Sequence, residues 1–361
     1  MALDPKWLTL AYAVNAAAPL ILLADRERAL DSLLTLVLAF PLVLTLYYLL
    51  KRSWTPLGLY AYVREVSPSL ALVQLASWIS SYFLYLSYTV DDVVYDVLGL
   101  RGFRGALAFL VLTALITVSL FRDWAYWALL GLAPIQVILS LPLGPLSPLG
   151  GFTNLEFLDI LSSSLLVVCL TLIPYSRSAR PWYVFAAFLT SALGLLSGSL
   201  FSPPEFAIRA QWIGMIALVV AEFVAIKTLL VRGFGVPKYF RVTVILYWIT
   251  SLMSLLNPTE YYDLTIAPSV ILLYLTLGIA FSTSAILFRG WRSLFSAASA
   301  ALMGYGLFNA FALASPLQIG IGAASLIGCA ASPLIFRGGE KRGAVEGSRG
   351  SGPPSGGSGS P

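Results

Sequence analysis

Histidine is absent from all 361 residues, cysteine occurs twice, and only 11% of the chain is charged. The first absence removes His-based proton relays. With Cys169 and Cys329 far apart and no Cys-x-x-Cys pair, Cys/His zinc sites go with it. The scarcity of charge is as restrictive, because a soluble domain usually carries about 25% charged residues. Also missing are a Walker-type Gly-rich loop ending in Lys and Ser/Thr, an HExxH and a GxSxG. Energy from ATP would therefore have to come from another chain, and no catalytic constellation is visible. No cofactor and no metal site is expected. The net charge of +5 reads as membrane topology rather than as a nucleic-acid surface.

What the chain does contain is hydrophobic length. It is 58% hydrophobic with a mean hydropathy of +0.86. A bilayer core about 30 Å thick needs roughly 20 apolar residues at 1.5 Å rise each. Twelve stretches approach that length: 7–24, 32–50, 70–98, 105–121, 124–142, 157–174, 182–200, 210–231, 242–257, 265–288, 295–314 and 317–336. A β-barrel would need short segments alternating between lipid and lumen. Continuous apolar runs such as Leu33 to Leu50 are helix-like instead. The segment before Trp7 holds one Lys against one Asp and leads into a helix of the bundle, so no cleaved signal peptide is expected. The expected fold is an all-α polytopic membrane protein with twelve transmembrane helices.

Charge placement orients it. With a cytoplasmic N-terminus and twelve spans, seventeen of the 22 basic residues fall on the inner side. Only Arg26, Arg28, Arg101, Arg104 and Arg209 fall outside. The acids lean the other way, with Asp91, Asp92 and Asp96 in one outer cluster. The positive-inside rule is satisfied, and both termini come out cytoplasmic in a cell membrane. Residues 337–361 run into Gly, Ser and Pro and are expected to be a disordered tail. Residues 53–69 are less apolar, and Trp54, Tyr60 and Tyr62 suit a headgroup-level segment.

The Pro/Gly-rich loop 143–156 divides five spans from seven. A unit with an odd number of spans begins and ends on opposite faces. Units 7–142 and 157–288 would therefore be inverted relative to each other, with two extra helices over 295–336. Inverted repeats are common in secondary transporters, whose substrates sit near midplane at interrupted helices. The first helix of each unit carries an interruption: Asn15 to Pro19 in one, Asp159 and Ser162-Ser163-Ser164 in the other. Small-residue stripes at Ala186, Thr190, Gly194 and Gly198, and at Gly320, Ala324, Gly328 and Ser332, read as intramolecular packing faces.

Carboxylates at depth need a reason. Glu222 lies in the eighth span, five residues before Lys227. It reads as a proton-coupling acid, a counter-ion for a cationic substrate, or a structural hydrogen-bonding group. Lys227 reads as snorkelling to the inner surface. Asp91 and Asp92 follow Tyr82, Tyr85 and Tyr88 in the third span and read as an outer vestibule or a hydrated helix end. Gln74, Gln136 and Asn309 read as interhelical glue.

Between the second and third spans lie Pro56-Leu57-Gly58-Leu59-Tyr60-Ala61-Tyr62-Val63-Arg64, then Ser67-Pro68-Ser69, with Trp78 following. This stretch resembles one in the amino acid–polyamine–organocation (APC) superfamily, where a Pro, a Gly pair, a Tyr-x-Tyr-Val and a Gly-Pro precede the third helix. The second Gly is here Leu59 and the Gly before Pro68 is Ser67. The resemblance implies two inverted five-helix repeats plus two C-terminal helices, and a site between the first, third, sixth and eighth helices. On this chain that site would comprise Asn15 and Ala18, Tyr85, and Ser162 to Ser164. The implied activity is permease transport of an amino acid or related small organic amine by alternating access, with H+ or Na+ as coupling ion and Glu222 as the coupling acid. Two other classes stand beside it: a membrane-embedded lipid-handling enzyme using Asp91, Asp92 and Asp159, and a non-catalytic membrane subunit. Oligomeric state is not legible.

Overall fold

A computed structural model of the protein describes residues 5–17, 29–146 and 164–348, with side chains except at 5, 165, 166 and beyond 334. Almost every described segment is helical. In chain order these are α1 (Pro5–Ala16), α2 (Ala29–Arg52), α3 (Leu59–Val66), α4 (Pro68–Asp92), α5 (Gly102–Ser119) and α6 (Trp124–Leu139). A 3-10 helix, Leu165–Tyr175, comes next. Then follow α7 (Trp182–Leu200), α8 (Gln211–Lys227), α9 (Pro237–Ser254), α10 (Pro258–Leu287), α11 (Trp291–Leu313) and α12 (Pro316–Ser348).

Eight described helical stretches are long and apolar enough to cross a membrane: α2, α4 with its terminal turn, α5, α7, α8 with its flanking turns, α10, α11 and the Pro316–Leu334 part of α12. The protein is thus a multi-pass helical membrane protein. The remaining expected spans correspond to α1, α6, the 3-10 helix and α9, which fall short on length or composition over the residues described. The backbone of α12 runs past the expected end at 336.

Local sequence sets the helix starts. Ser67 caps α4 by accepting from the Leu70 amide at 3.3 Å, with Pro68 in the first turn. Asn257 does the same for α10 from the Glu260 amide, ahead of Pro258. At α12, Ser315 and Gln318 cap each other's backbone amides reciprocally, a capping box.

The ends of α4 and α8 match. Each closes in a π-helical turn, Val93–Val97 and Thr228–Gly233. In the first, the amides of Leu98 and Leu100 donate to Val93 and Val94 carbonyls. In the second, Phe234 and Val236 donate to Leu229 and Leu230. A glycine in the left-handed region follows each, Gly99 at φ 63° and Gly235 at φ 68°. All these positions are related by one offset of 136 residues. A short helix also precedes each, α3 before α4 and Glu205–Arg209 before α8.

α8 is enclosed along most of its length, whereas α12 and α5 turn most of their apolar surface outward. The core gathers where α1, α4, α8 and the 3-10 helix meet, around Tyr12, Trp78, Tyr175 and Phe223. α10 packs on α4 and α11, while α2 packs on α7 and α11.

Segment 53–69, read from sequence as a headgroup-level segment, packs on the bundle. α3 is amphipathic, and its Leu59, Tyr60, Tyr62 and Val63 are buried against the bundle. The Tyr62 hydroxyl donates to the Leu49 carbonyl at 3.0 Å and to that of Ser53. Burial pushes this phenol above its usual range. The Trp54 indole donates to the Pro174 carbonyl at 3.1 Å. Gly58, at φ 56°, lets Tyr175 lie against its Cα, and Tyr175 stacks on Trp78 at 4.4 Å between centroids. The stretch resembling the APC motif is thus a socket around the end of the 3-10 helix.

Of the two small-residue stripes, Thr190 and Gly194 in α7 are buried. In α12, Gly320 and Gly328 meet nothing, and the close approach is made by Gly322 against Ile271 of α10. Of that second stripe Ser332 is buried.

Candidate functional site

α1 ends, within the described residues, one residue after Asn15. The Asn15 amide nitrogen donates to Ala11 and Leu129 carbonyls, both at 2.8 Å. Its Oδ1 is buried with no hydrogen-bond partner among the described residues. Ser191 of α7 donates to the Ala17 carbonyl at 3.0 Å and satisfies one of the acceptors freed by the helix end. Tyr12, one turn before Asn15, donates to the Leu172 carbonyl at 3.0 Å and ties α1 to the 3-10 helix.

Ser164 is buried at the start of the 3-10 helix and is engaged there. Eleven residues of 3-10 geometry is long for that conformation, which has poorer hydrogen-bond geometry than an α-helix and is used mostly in short pieces. Ala18, Ser162 and Ser163 lie outside the described residues, as do Pro19 and Asp159. Only one flank of each expected interruption falls within the described residues.

Glu222 is 1% exposed on the enclosed face of α8, and its Oε2 has no partner among the described residues. Tyr12 of α1, Tyr82, Tyr85 and Tyr88 of α4, and Cys169 of the 3-10 helix are all within electrostatic reach of its carboxylate. One acid is thus shared by four elements that are distant in sequence. Tyr85 is half-buried and meets Tyr88 edge to face at 5.1 Å. Among the described residues no group of three His, Cys, Asp or Glu side chains is placed to hold a metal.

Other polar side chains share the helix face of Tyr85. Gln74, Trp78 and Tyr82 lie on the face of α4 that also carries Tyr85, and each has a buried polar atom without a partner among the described residues. The signal was available as the i, i+4, i+8, i+11 spacing of these residues.

Asp91 and Asp92 separate. Asp92 is half-buried and engaged, whereas Asp91 is 2% exposed. The physical reason is register: adjacent residues on a helix point about 100° apart. Lys227 does not merely reach for the surface. Its ammonium donates to the Leu120 carbonyl at 2.7 Å and to that of Arg122, capping the end of α5.

No protein-family model matches the chain, and no curated protein matches it by sequence. Solved structures do match. A histidine-to-alanine variant of the Eremococcus coleocola manganese transporter is similar at 11% identity, covering 92% of this chain and 93% of that one, with a TM-score of 0.52. A glutamate-to-glutamine variant of the same transporter matches at 12% identity over the same shares, with a TM-score of 0.47. Mhp1 in an inward-facing conformation matches over 90% of this chain and 74% of its own at 13% identity, but its TM-score of 0.26 assigns no fold. The first of these shows a shared fold: the chain is built like a membrane transporter.

Proposed function

We propose that the protein is a secondary active transporter that moves an amino acid or related small organic amine by alternating access. The observation that carries this reading is Glu222: a carboxylate only 1% exposed, one oxygen of which has no partner among the described residues, within electrostatic reach of tyrosines of α1 and α4. A cationic ammonium is the ligand that such a set favours, since the carboxylate balances its charge and aromatic faces attract it. Asn15 Oδ1, one turn on from Tyr12, and the end of α1 would supply further polar contacts. The fold likeness to a transporter supports transport over membrane-embedded catalysis.

Alternating access needs two halves that rock. The matched π-turns and left-handed glycines of α4 and α8, with a short helix before each, support two units of common design at 7–142 and 157–288. With five spans each these units would be inverted with both termini cytoplasmic, a layout that the resemblance of the motif around Gly58 to the APC superfamily supports. Proton coupling through Glu222 follows from its burial, because a carboxylate at that depth is tolerable when neutral and its exposure would differ between inward- and outward-facing states.

Manganese, the cargo named for the structural relative, favours several hard oxygen ligands. Glu222 and Asn15 offer one carboxylate and one amide, which argues for the organic solute. The test is uptake into proteoliposomes, screened across amino acids, amines and manganese under imposed pH or sodium gradients. Accumulation of an amine or amino acid is the expected result. Uptake of manganese alone, or of nothing in the screen, would overturn the assignment.

A further inference from the structure

The end of α4 carries a second buried acid for which the Glu222 site has no use. Asp91 is 2% exposed, and neither of its carboxylate oxygens has a hydrogen-bond partner among the described residues. Around it are hydroxyls rather than cations. The Ser254 hydroxyl at the end of α9, which donates to the Ser251 carbonyl at 2.7 Å, lies within reach of it. The Tyr247 hydroxyl is within electrostatic reach, flanked by those of Ser251 and of Thr113 from α5. Tyr247, Ser251 and Ser254 share one face of α9 by their spacing. All three and Thr113 are at most 1% exposed, and the oxygens of Thr113, Tyr247 and Ser251 also lack partners among the described residues. Four buried side chains from three helices thus bring unpaired oxygens together.

The other half of the molecule shows what this arrangement wants. By the 136-residue offset that relates the two π-turns, the counterpart of Asp91 on α8 is Lys227. There an ammonium sits on the carbonyls that end α5. Asp91 instead brings a carboxylate to the end of α9, the negative end of that helix's dipole. Anion, carbonyl end and hydroxyls together form a set of oxygens with one formal negative charge. The other ionisable groups nearby are Asp92 and Asp96 on the same helix stretch, Tyr95 and, from α10, Tyr261. The adjacent cation, Arg101, is exposed and pairs with Asp96 at 3.5 Å.

We propose that Asp91, with the hydroxyls of Thr113, Tyr247, Ser251 and Ser254, binds a monovalent alkali cation, sodium in the first place, at a site separate from Glu222. One carboxylate among neutral hard oxygens matches the charge of such an ion, whereas a divalent ion would draw further carboxylates into its shell. Bound there, the ion ties α4 to α5 and α9, as Lys227 ties α8 to α5. The proposal does not depend on what the Glu222 site transports.

The test uses purified full-length protein in detergent without any solute. Its thermal unfolding is followed against NaCl, with caesium chloride holding the ionic strength constant. Sodium should raise the midpoint in a saturable manner by several degrees, as ligand linkage requires. Asp91→Asn should abolish the response, and Tyr247→Phe or Ser251→Ala should raise the half-maximal sodium concentration about tenfold or more. A wild-type midpoint equal in both salts would overturn the proposal, as would an undiminished response in Asp91→Asn. A midpoint that follows pH alike in both salts, and loses that dependence in Asp91→Asn, would make Asp91 a protonated acid instead and overturn it too. Should Asp91→Asn not fold, unshifted sodium curves in both hydroxyl variants would be equally fatal. No transport is measured, so this result stands apart from the fate of Glu222.

Discussion

Glu222 is where the sequence reading and the structure meet most closely at the scale of single residues. Its depth in an apolar run marked it, and the structure adds the tyrosines of α4 and Tyr12 of α1 around it. Glu222→Gln keeps shape and hydrogen-bonding capacity but cannot exchange a proton. It is expected to leave folded protein in membranes, cut pH-driven accumulation to near background, and retain solute exchange across equal pH. Undiminished pH-driven uptake would remove Glu222 from coupling. Loss of folded protein would give it a structural role. Gly58 makes a stability prediction instead. An alanine there takes a left-handed backbone and drives its Cβ into the Tyr175 ring. Gly58→Ala should cost about 1–3 kcal/mol, visible as a lower thermal midpoint. A midpoint unchanged from wild type would mean that the socket around Tyr175 is loose. Asp91 was legible as an acid but not as a buried one, since spacing alone does not say which of two neighbouring aspartates turns inward.

At the scale of elements, α5 ends on a side chain from α8. Lys227 holds the carbonyl of Leu120, the C-cap of α5, and that of Arg122 in the turn that follows. Lys227→Met keeps the apolar stem and removes the ammonium. The loss should be about 1.5–3 kcal/mol, the usual worth of a hydrogen bond to a charged group, read as a fall in thermal midpoint. Hydrogen exchange should quicken at the end of α5 and not at the end of α9. Equal exchange at both ends would show that Lys227 merely snorkels. The 3-10 helix was not visible in the sequence. Its residues, Leu165–Tyr175, are as apolar as those of any neighbouring span. Its conformation depends on a wall of contacts from Tyr12, Trp54 and Trp78, which come from three other segments.

For the whole molecule, the unequal division of basic residues predicts both termini on the cytoplasmic side. Cysteine labelling at Ser147 and Ser348, in a background lacking Cys169 and Cys329, checks this. Ser147 should react from outside and Ser348 only from inside. The reverse pattern at either position would sink the twelve-span layout and the inversion of its two units. The matching turns after α4 and α8 would then reflect a shared local design rather than a repeat.

Composition and run length alone determined that this chain is helical and lives in a membrane, because a bilayer core forces every backbone polar group to be satisfied within its own segment. Helix starts were equally local: Ser67-Pro68, Asn257-Pro258 and Ser315-Pro316 cap and fix a first turn with residues adjacent in sequence. What only the tertiary structure decided is which polar side chains face one another. Glu222 and the tyrosines of α4 are separated by more than a hundred positions, as are Asp91 and the hydroxyls of α9. In lipid-solvated helices all faces are apolar, so hydrophobic periodicity does not point inward as it does in water. The buried face is chosen by packing and by partners for polar groups, and those partners belong to other helices.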